Sequence, residues 1–215
     1  MAPQRGMKRS GRGAKGAKPT GARTASVRRE TKETHISATL TLEGQGRGKI
    51  STTLPFLDHM LSAFSKHGGF DLALTARGDT DVDHHHTVED IGLVLGETIA
   101  RCVGDKRGIA RFGLSSVPMD DALAMVTVDV CGRPYLVYRV APPRRKKILA
   151  FDTGLIEHFF RSLTSVSGLT LHINAPYGED PHHLLEAIFK AFGRALAQAV
   201  RREGRGVPST KGLLA

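Results

Sequence analysis

The chain has 215 residues, of which 40% are hydrophobic and none is Trp, and its formal net charge at pH 7 is +10. This length suits one domain with a sizeable core or two small domains, and no apolar run reaches the roughly 18–20 residues of a membrane span. Residues 1–30 carry nine Lys or Arg and one acid, whereas the rest of the chain carries 22 basic and 20 acidic side chains. The basic character therefore belongs to the amino-terminal segment.

That segment, residues 1–30, is predicted to be a disordered basic tail, because its Gly, Ala, Lys and Arg offer few apolar contacts to offset conformational entropy. It has no aromatic side chains on which bases could stack, so a solvated extension is favoured and no nucleic-acid partner is expected. It also lacks the apolar region of a secretory signal. Cys102 and Cys131 lie in apolar runs and are interpreted as buried free thiols of a cytoplasmic protein.

The first half of the remaining chain alternates between strand and helix patterns. Period-2 alternation predicts a strand over residues 36–42, and a glycine-rich turn leads to a second strand near 50–54, so the two are expected to form a hairpin. Helical spacing follows from residue 56 to the Gly68-Gly69 stop, then a strand over 70–74 and a helix over about 87–103.

The second half repeats this order. Strands over 123–130 and 135–140 precede a helix over 153–166, a strand over 169–173 and a closing helix over 182–202. The sequence therefore predicts an α+β domain over residues 31–215. It is internally duplicated as a β-β-α-β-α unit, with halves of about 31–108 and 109–205 and two sheets flanking a four-helix layer.

A repeated pattern of acids and histidines carries the chemistry. Asp58-His59 is followed by HHTVE at residues 85–89, and Glu157-His158 is followed by HHLLE at residues 182–186. Helical positions i and i+4 share a face, so the first histidine and the glutamate of each motif can chelate one ion. The second histidine points about 100° away and could serve a second ion, or the same ion in a neighbouring subunit.

These residues make eight predicted ligands, enough for two metal ions with positions left open for a substrate. Imidazole with carboxylate suits Mn, Fe, Zn or Ni, and the lack of a nearby cysteine argues against a structural zinc site. The predicted ligands are His59, His85, His86, Glu89, His158, His182, His183 and Glu186. Lys190 extends one motif by another i+4 step where the other half has Leu93, which indicates a role with substrate or, equally, a solvated helix lysine.

The segments at residues 54–69, 81–92, 181–197 and 207–213 resemble the imidazoleglycerol-phosphate dehydratase family over roughly residues 28–213. The resemblance implies a histidine-pathway enzyme with two Mn²⁺ per active site, assembled as a homo-oligomer of 24 subunits with shared sites. It carries the ligand role onto the eight residues above and implies phosphate binding by Arg111, Arg133, Ser209 and Lys211. Glu33 and Lys190 also match the family, whereas His84 stands where the family usually has an acid.

The reaction implied is dehydration of D-erythro-imidazoleglycerol phosphate to imidazole acetol phosphate. Metals on the ring nitrogens would stabilise an imidazolate, while Glu33 or Glu186 moves protons. Two other functions fit the same ligands: a di-metal hydrolase, and a metal-storage or metal-sensing assembly whose basic tail binds DNA. The two isolated arginines and the PSTKG segment at residues 208–212 favour a phosphorylated small molecule over both.

Overall fold

The computed structural model describes residues 21–141, 146–204, 206–212 and 214. The first half contains β1 (Thr24–Glu30), β2 (Thr34–Thr41), β3 (Gly48–Ser51), α1 (Pro55–Gly68), β4 (Asp71–Gly78) and α2 (His85–Val103). The second contains β5 (Phe112–Met119), β6 (Ala122–Asp129), β7 (Tyr135–Val140), the short β8 (Lys147–Ile148) and β9 (Phe151–Asp152), α3 (Leu155–Ser167), β10 (Thr170–Tyr177) and α4 (Pro181–Val200). Within these ranges no helix has the length and apolar character needed to cross a membrane.

The duplicated α+β fold is confirmed, and each half opens with a strand that the predicted unit lacks, while the second half also adds the short β8 and β9. The opening strands, β1 and β5, each form an antiparallel pair with the strand that follows. The predicted disorder of residues 1–30 is wrong for β1, which pairs with β2 through every residue and buries Val27 against the core. β1 is an edge strand whose backbone is paired along its length and whose one buried side chain is Val27. Its arginines made this segment look like part of the basic tail. Residues 1–20 lie outside the described part of the chain.

The predicted hairpin between the second and third strands does not form. The first sheet has the order β1-β2-β4-β3, in which β3 runs parallel to β4. The second sheet repeats this arrangement as β5-β6-β10-β7, with β7 parallel to β10. Parallel neighbours need a crossover connection, and α1 and α3 supply it. The last two strands of each sheet therefore belong to a β-α-β unit. The helix of that unit begins after the edge strand, so its first turn lies near the edge of the sheet.

The four helices lie between the two sheets and pack across the halves, α1 against α4 and α2 against α3. Both crossings are close because each has a glycine at the contact. A Cβ atom on Gly96 would lie 2.3 Å from the carbonyl oxygen of Leu163, and one on Gly193 would lie 2.5 Å from that of Phe64. Phe64 also stacks on Phe192 at a ring-centroid distance of 5.1 Å. The core is therefore one apolar cluster shared by both halves.

Candidate metal centre

One cluster of metal-ligating side chains forms where α1 and α4 begin. The Oε2 atom of Glu186 lies 3.1 Å from His59 Nε2 and 3.0 Å from His182 Nε2. The three ligand atoms fall within 4.8 Å of one another, and Glu186 is buried. Asp180 caps α4 by accepting a bond from the amide of His182 at 2.7 Å, which fixes the first turn of the helix. These donors converge on a space that one cation could occupy.

The corresponding donors on α2 and α3 lie close together in two pairs. His85 Nε2 lies 3.3 Å from Glu89 Oε2, and the His85 and His158 rings are 4.7 Å apart between centroids. In both clusters the lone histidine of one half joins the histidine and glutamate of the other half. The pairing of ligands therefore runs across the duplication, a choice that the sequence left open.

The glutamate of the first cluster is held in its ionised form. Burial alone would raise the pKa of Glu186, but hydrogen bonds from Lys190 and His59 outweigh it and lower the pKa to about 2. Lys190 Nζ lies 2.8 Å from Oε1, so the other carboxylate oxygen faces the two histidines. Lys190 is thus a partner of the predicted ligand, and its predicted role with substrate stays a prediction.

The second histidine of each motif meets carboxylates instead. His86 Nδ1 lies 3.1 Å from Asp79 Oδ2 and 3.7 Å from Glu33 Oε2. His183 Nδ1 lies 2.7 Å from Asp121 Oδ1, and its Nε2 lies 3.4 Å from Asp120 Oδ2. The hydrogen bond to Asp79 raises the pKa of His86, and that to Asp121 raises the pKa of His183.

Sequence reasoning missed both aspartates, although a signal for Asp121 was present. Glu33 lies in the β1–β2 turn, and Asp120-Asp121 lies at the matching β5–β6 turn. Both turns bring an acid to the second histidine of their own half. Comparing the loops of the two halves, as well as their helices, would have indicated the match.

The four predicted phosphate-binding residues, far apart in sequence, line one cavity of about 800 Å³: Arg111, Arg133, Ser209 and Lys211. The Arg111 fork donates to Asp129 at 2.7 and 3.1 Å and to the Pro208 carbonyl at 2.9 Å. That bracing leaves two N–H groups of Arg111 for another partner. Arg133 is 63% exposed and lies 3.9 Å from the same aspartate. The cavity thus combines one braced cation, Arg111, with a more exposed one, Arg133.

This phosphate cavity and the first cluster lie at opposite ends of α4. The amide of Arg111 donates to the carbonyl of Ala199 near the end of the helix, whereas His182 is in its first turn. At 1.5 Å rise per residue these positions are about 25 Å apart. A small substrate cannot reach both from within one chain.

His84 does not join either cluster. Its ring stacks on Phe151 at a centroid distance of 6.4 Å and lines an apolar cavity with Phe56 and Leu149. Since it packs on this surface, a role as a third adjacent ligand gains no support.

Comparison with known proteins identifies the family. A family model described as imidazoleglycerol-phosphate dehydratase matches residues 52–196. The enzymes of that name from Trichlorobacter lovleyi and Geobacter metallireducens are each 53% identical over 194 residues, which is 89% of this chain and 99% of theirs. The chain belongs to the imidazoleglycerol-phosphate dehydratase family.

Solved structures of imidazoleglycerol-phosphate dehydratases agree with this assignment. The Staphylococcus aureus enzyme superposes with a TM-score of 0.73 at 39% identity, covering 83% of this chain and 99% of its own. The Pyrococcus furiosus enzyme gives 0.75 at 39% identity, covering 87% of this chain and 100% of its own. The predicted family, fold and enzyme class are confirmed: this chain is a hydro-lyase of histidine biosynthesis.

Proposed function

We propose that the chain dehydrates D-erythro-imidazoleglycerol phosphate to imidazole acetol phosphate at a di-manganese site. The observation that carries the proposal is the coexistence of two histidine–carboxylate clusters with an arginine- and lysine-lined cavity. The clusters suit the imidazole end of such a substrate, and the cavity suits its phosphate end.

The donor set fits two Mn²⁺ ions per active site. Each cluster offers two imidazoles and one carboxylate, a combination typical of manganese, iron or zinc, and both cysteines are buried elsewhere. His59, His182 and Glu186 would hold one ion, and His85, Glu89 and His158 the other. When bound, the ions supply Lewis-acid stabilisation of the deprotonated imidazole ring.

Residues of the cavity would fix the phosphate and so place the reacting carbon. Arg133 and Lys211 supply charge, Ser209 supplies a hydroxyl, and Arg111 is braced to present its remaining N–H groups. Because the cavity and the first cluster of one chain are about 25 Å apart, a complete site needs the cavity of one copy to face that cluster of another. This geometry supports a homo-oligomer with shared sites, and we propose the 24 subunits that the family implies.

Glu33 is the group best placed to move protons. Glu186 is ionised, buried and already bonded to Lys190 and two histidines, which suits a ligand. Glu33 is exposed and lies in a turn fixed by its neighbours, because Thr31 Oγ1 accepts bonds from the amides of Glu33 and Thr34 at 3.1 and 2.9 Å. Lys190 would act indirectly by keeping Glu186 ionised.

The direct test is turnover of imidazoleglycerol phosphate by metal-stripped protein with and without added Mn²⁺. We expect imidazole acetol phosphate only with metal, and none from His85→Ala or His182→Ala protein. His172→Ala, an exposed histidine of β10, is the matched control and should retain activity. Two bound ions per chain without product would reject the dehydration and favour hydrolysis of a phosphorylated compound.

A further inference from the structure

Asp129 holds Arg111 in a fixed orientation at the wall of the phosphate cavity. Its Oδ1 accepts from Arg111 Nε at 2.7 Å and its Oδ2 from Nη2 at 3.1 Å, so the carboxylate covers one whole edge of the guanidinium group. The Pro208 carbonyl accepts from Nη1 at 2.9 Å, and the Phe112 ring covers one face, with 4.6 Å between its centroid and the guanidinium carbon. These contacts leave one N–H on each terminal nitrogen, a pair that can bond two oxygens of a phosphate.

The main chains of both partners are anchored independently of this contact. Asp129 is the last residue of β6, and its backbone pairs with both neighbouring strands, β5 and β10. Arg111 directly precedes β5 with a φ of +75°, a left-handed conformation that residues other than glycine seldom adopt. Its amide donates to the Ala199 carbonyl at 2.8 Å, and its carbonyl accepts from the Val130 amide at 2.9 Å. The sheet and α4 therefore fix the backbone of Arg111, and Asp129 fixes the direction of its long side chain.

The first half contains a similar arginine–carboxylate pair at the matching place. Arg23 directly precedes β1, as Arg111 precedes β5, and its carbonyl accepts from the Leu42 amide at 2.9 Å. Its Nε donates to Glu43 Oε1 at 2.8 Å, and its Nη2 donates to the Val200 carbonyl at 2.6 Å. Among the described residues, neither Arg23 nor Glu43 lines the phosphate cavity. This pair is therefore a natural control for the loss of an arginine–carboxylate contact.

We propose that Asp129 is a positioning residue for phosphate binding, which turns the remaining N–H pair of Arg111 toward the cavity. The inference rests on the proposed role of this cavity with the phosphate of the substrate. A carboxylate beside a bound phosphate also repels it, so the two effects of Asp129 oppose each other. The repulsion in such a partly exposed place is worth roughly 2–10-fold in affinity. A binding group displaced by 1 Å costs up to about 100-fold, so positioning outweighs repulsion.

The test is the affinity of the full-length assembly, with Mn²⁺ present, for glycerol phosphate, which carries a phosphate and lacks the imidazole ring. Titration calorimetry gives the affinity, and melting curves give the stability. Asp129→Asn keeps the size of the side chain but removes its charge and one acceptor, so we expect binding to weaken by roughly 10–100-fold. Glu43→Gln is the matched control, because it breaks the first-half pair. It should lower the melting temperature and leave the affinity unchanged.

A second background separates positioning from charge. In Arg111→Ala protein, Asp129→Asn should add no further loss, and removal of the repelling charge should strengthen binding by roughly 2–10-fold. Unchanged or tighter binding in the single Asp129→Asn variant, or a further loss in the Arg111→Ala background, would overturn the inference. If wild-type protein bound no glycerol phosphate, the proposed role of the cavity would fail and the inference with it. Binding needs no turnover, so failure of the dehydration would be seen separately.

Discussion

Replacing Gly193 with alanine tests whether the close crossing of α1 and α4 sets the geometry of the first cluster. The new Cβ would lie 2.5 Å from the Phe64 carbonyl oxygen and 3.0 Å from the Gly68 amide nitrogen. Both are backbone atoms, so the helices must separate by roughly 0.9 Å to reach ordinary contact. Overpacking costs about 1–3 kcal/mol, and the better helix propensity of alanine offsets about 1 kcal/mol. We expect a net loss of about 1 kcal/mol and a Tm lower by roughly 2–4 °C.

The same separation should reach the metal. His59 and Glu186, whose ligand atoms are 3.1 Å apart, lie on these two helices about one to two turns before the contact. Such sites tolerate displacements of only about 0.5 Å, so we expect at least tenfold weaker Mn²⁺ binding, measured by chelator competition beside calorimetry. Ala197→Gly, half-buried further along α4, costs about 1 kcal/mol by propensity alone and should spare the metal. Wild-type Mn²⁺ affinity in Gly193→Ala protein, or a raised Tm, would refute this reasoning.

Three further outcomes are expected. Arg133→Ala should raise KM for the phosphorylated substrate without changing Tm. Arg111→Ala should raise KM and also cost about 1–3 kcal/mol of stability, because the half-buried carboxylate of Asp129 loses its partner. Steady-state kinetics and melting curves separate the two effects. Burial raises the pKa of the Cys102 thiol to about 11, so a disulfide reagent at pH 8 should label it only after denaturation, and fast labelling of native protein would contradict the burial. Burial tends to raise the pKa of Glu43, but hydrogen bonds from Arg23 outweigh it, so the pKa is lowered. The Arg23–Glu43 pair should therefore stabilise the fold above about pH 4.5 and lose that effect as the pH falls. Arg23→Gln should make the melting temperature less dependent on acid pH, which melting curves at several pH values would show.

The repeated histidine motifs made the duplication and the ligands readable from the sequence. Ligand chemistry needs particular residue types at helical spacing, and such a pattern leaves a strong local signal. Arg111, Arg133, Ser209 and Lys211 could be grouped only through a family resemblance, since nothing local connects them. The structure brings these four together, and their role with phosphate stays a prediction.

Other features depend on pairing in space and were not readable. Strand β3 follows β2 in the chain but pairs with β4, because the crossover through α1 decides its neighbour. Strand β1 was hidden because backbone pairing, and not side-chain alternation, secures it. Asp79 was missed since a loop acid gains meaning only from the histidine it faces. The sequence could not show that the lone histidine of one half joins the histidine and glutamate of the other, because the two halves carry nearly identical sets of ligands.

The exchange of ligands between halves has a consequence for ancestry. A half-length precursor with one lone histidine and one HHxxE motif would have lacked a complete cluster unless two copies docked with each other. Metal binding would then have favoured dimerisation before any gene fusion. Fusion would have kept the same pairing of ligands within one chain. Lys190 opposite Leu93 is one position at which the two halves now differ, and only the second half braces its glutamate with a lysine.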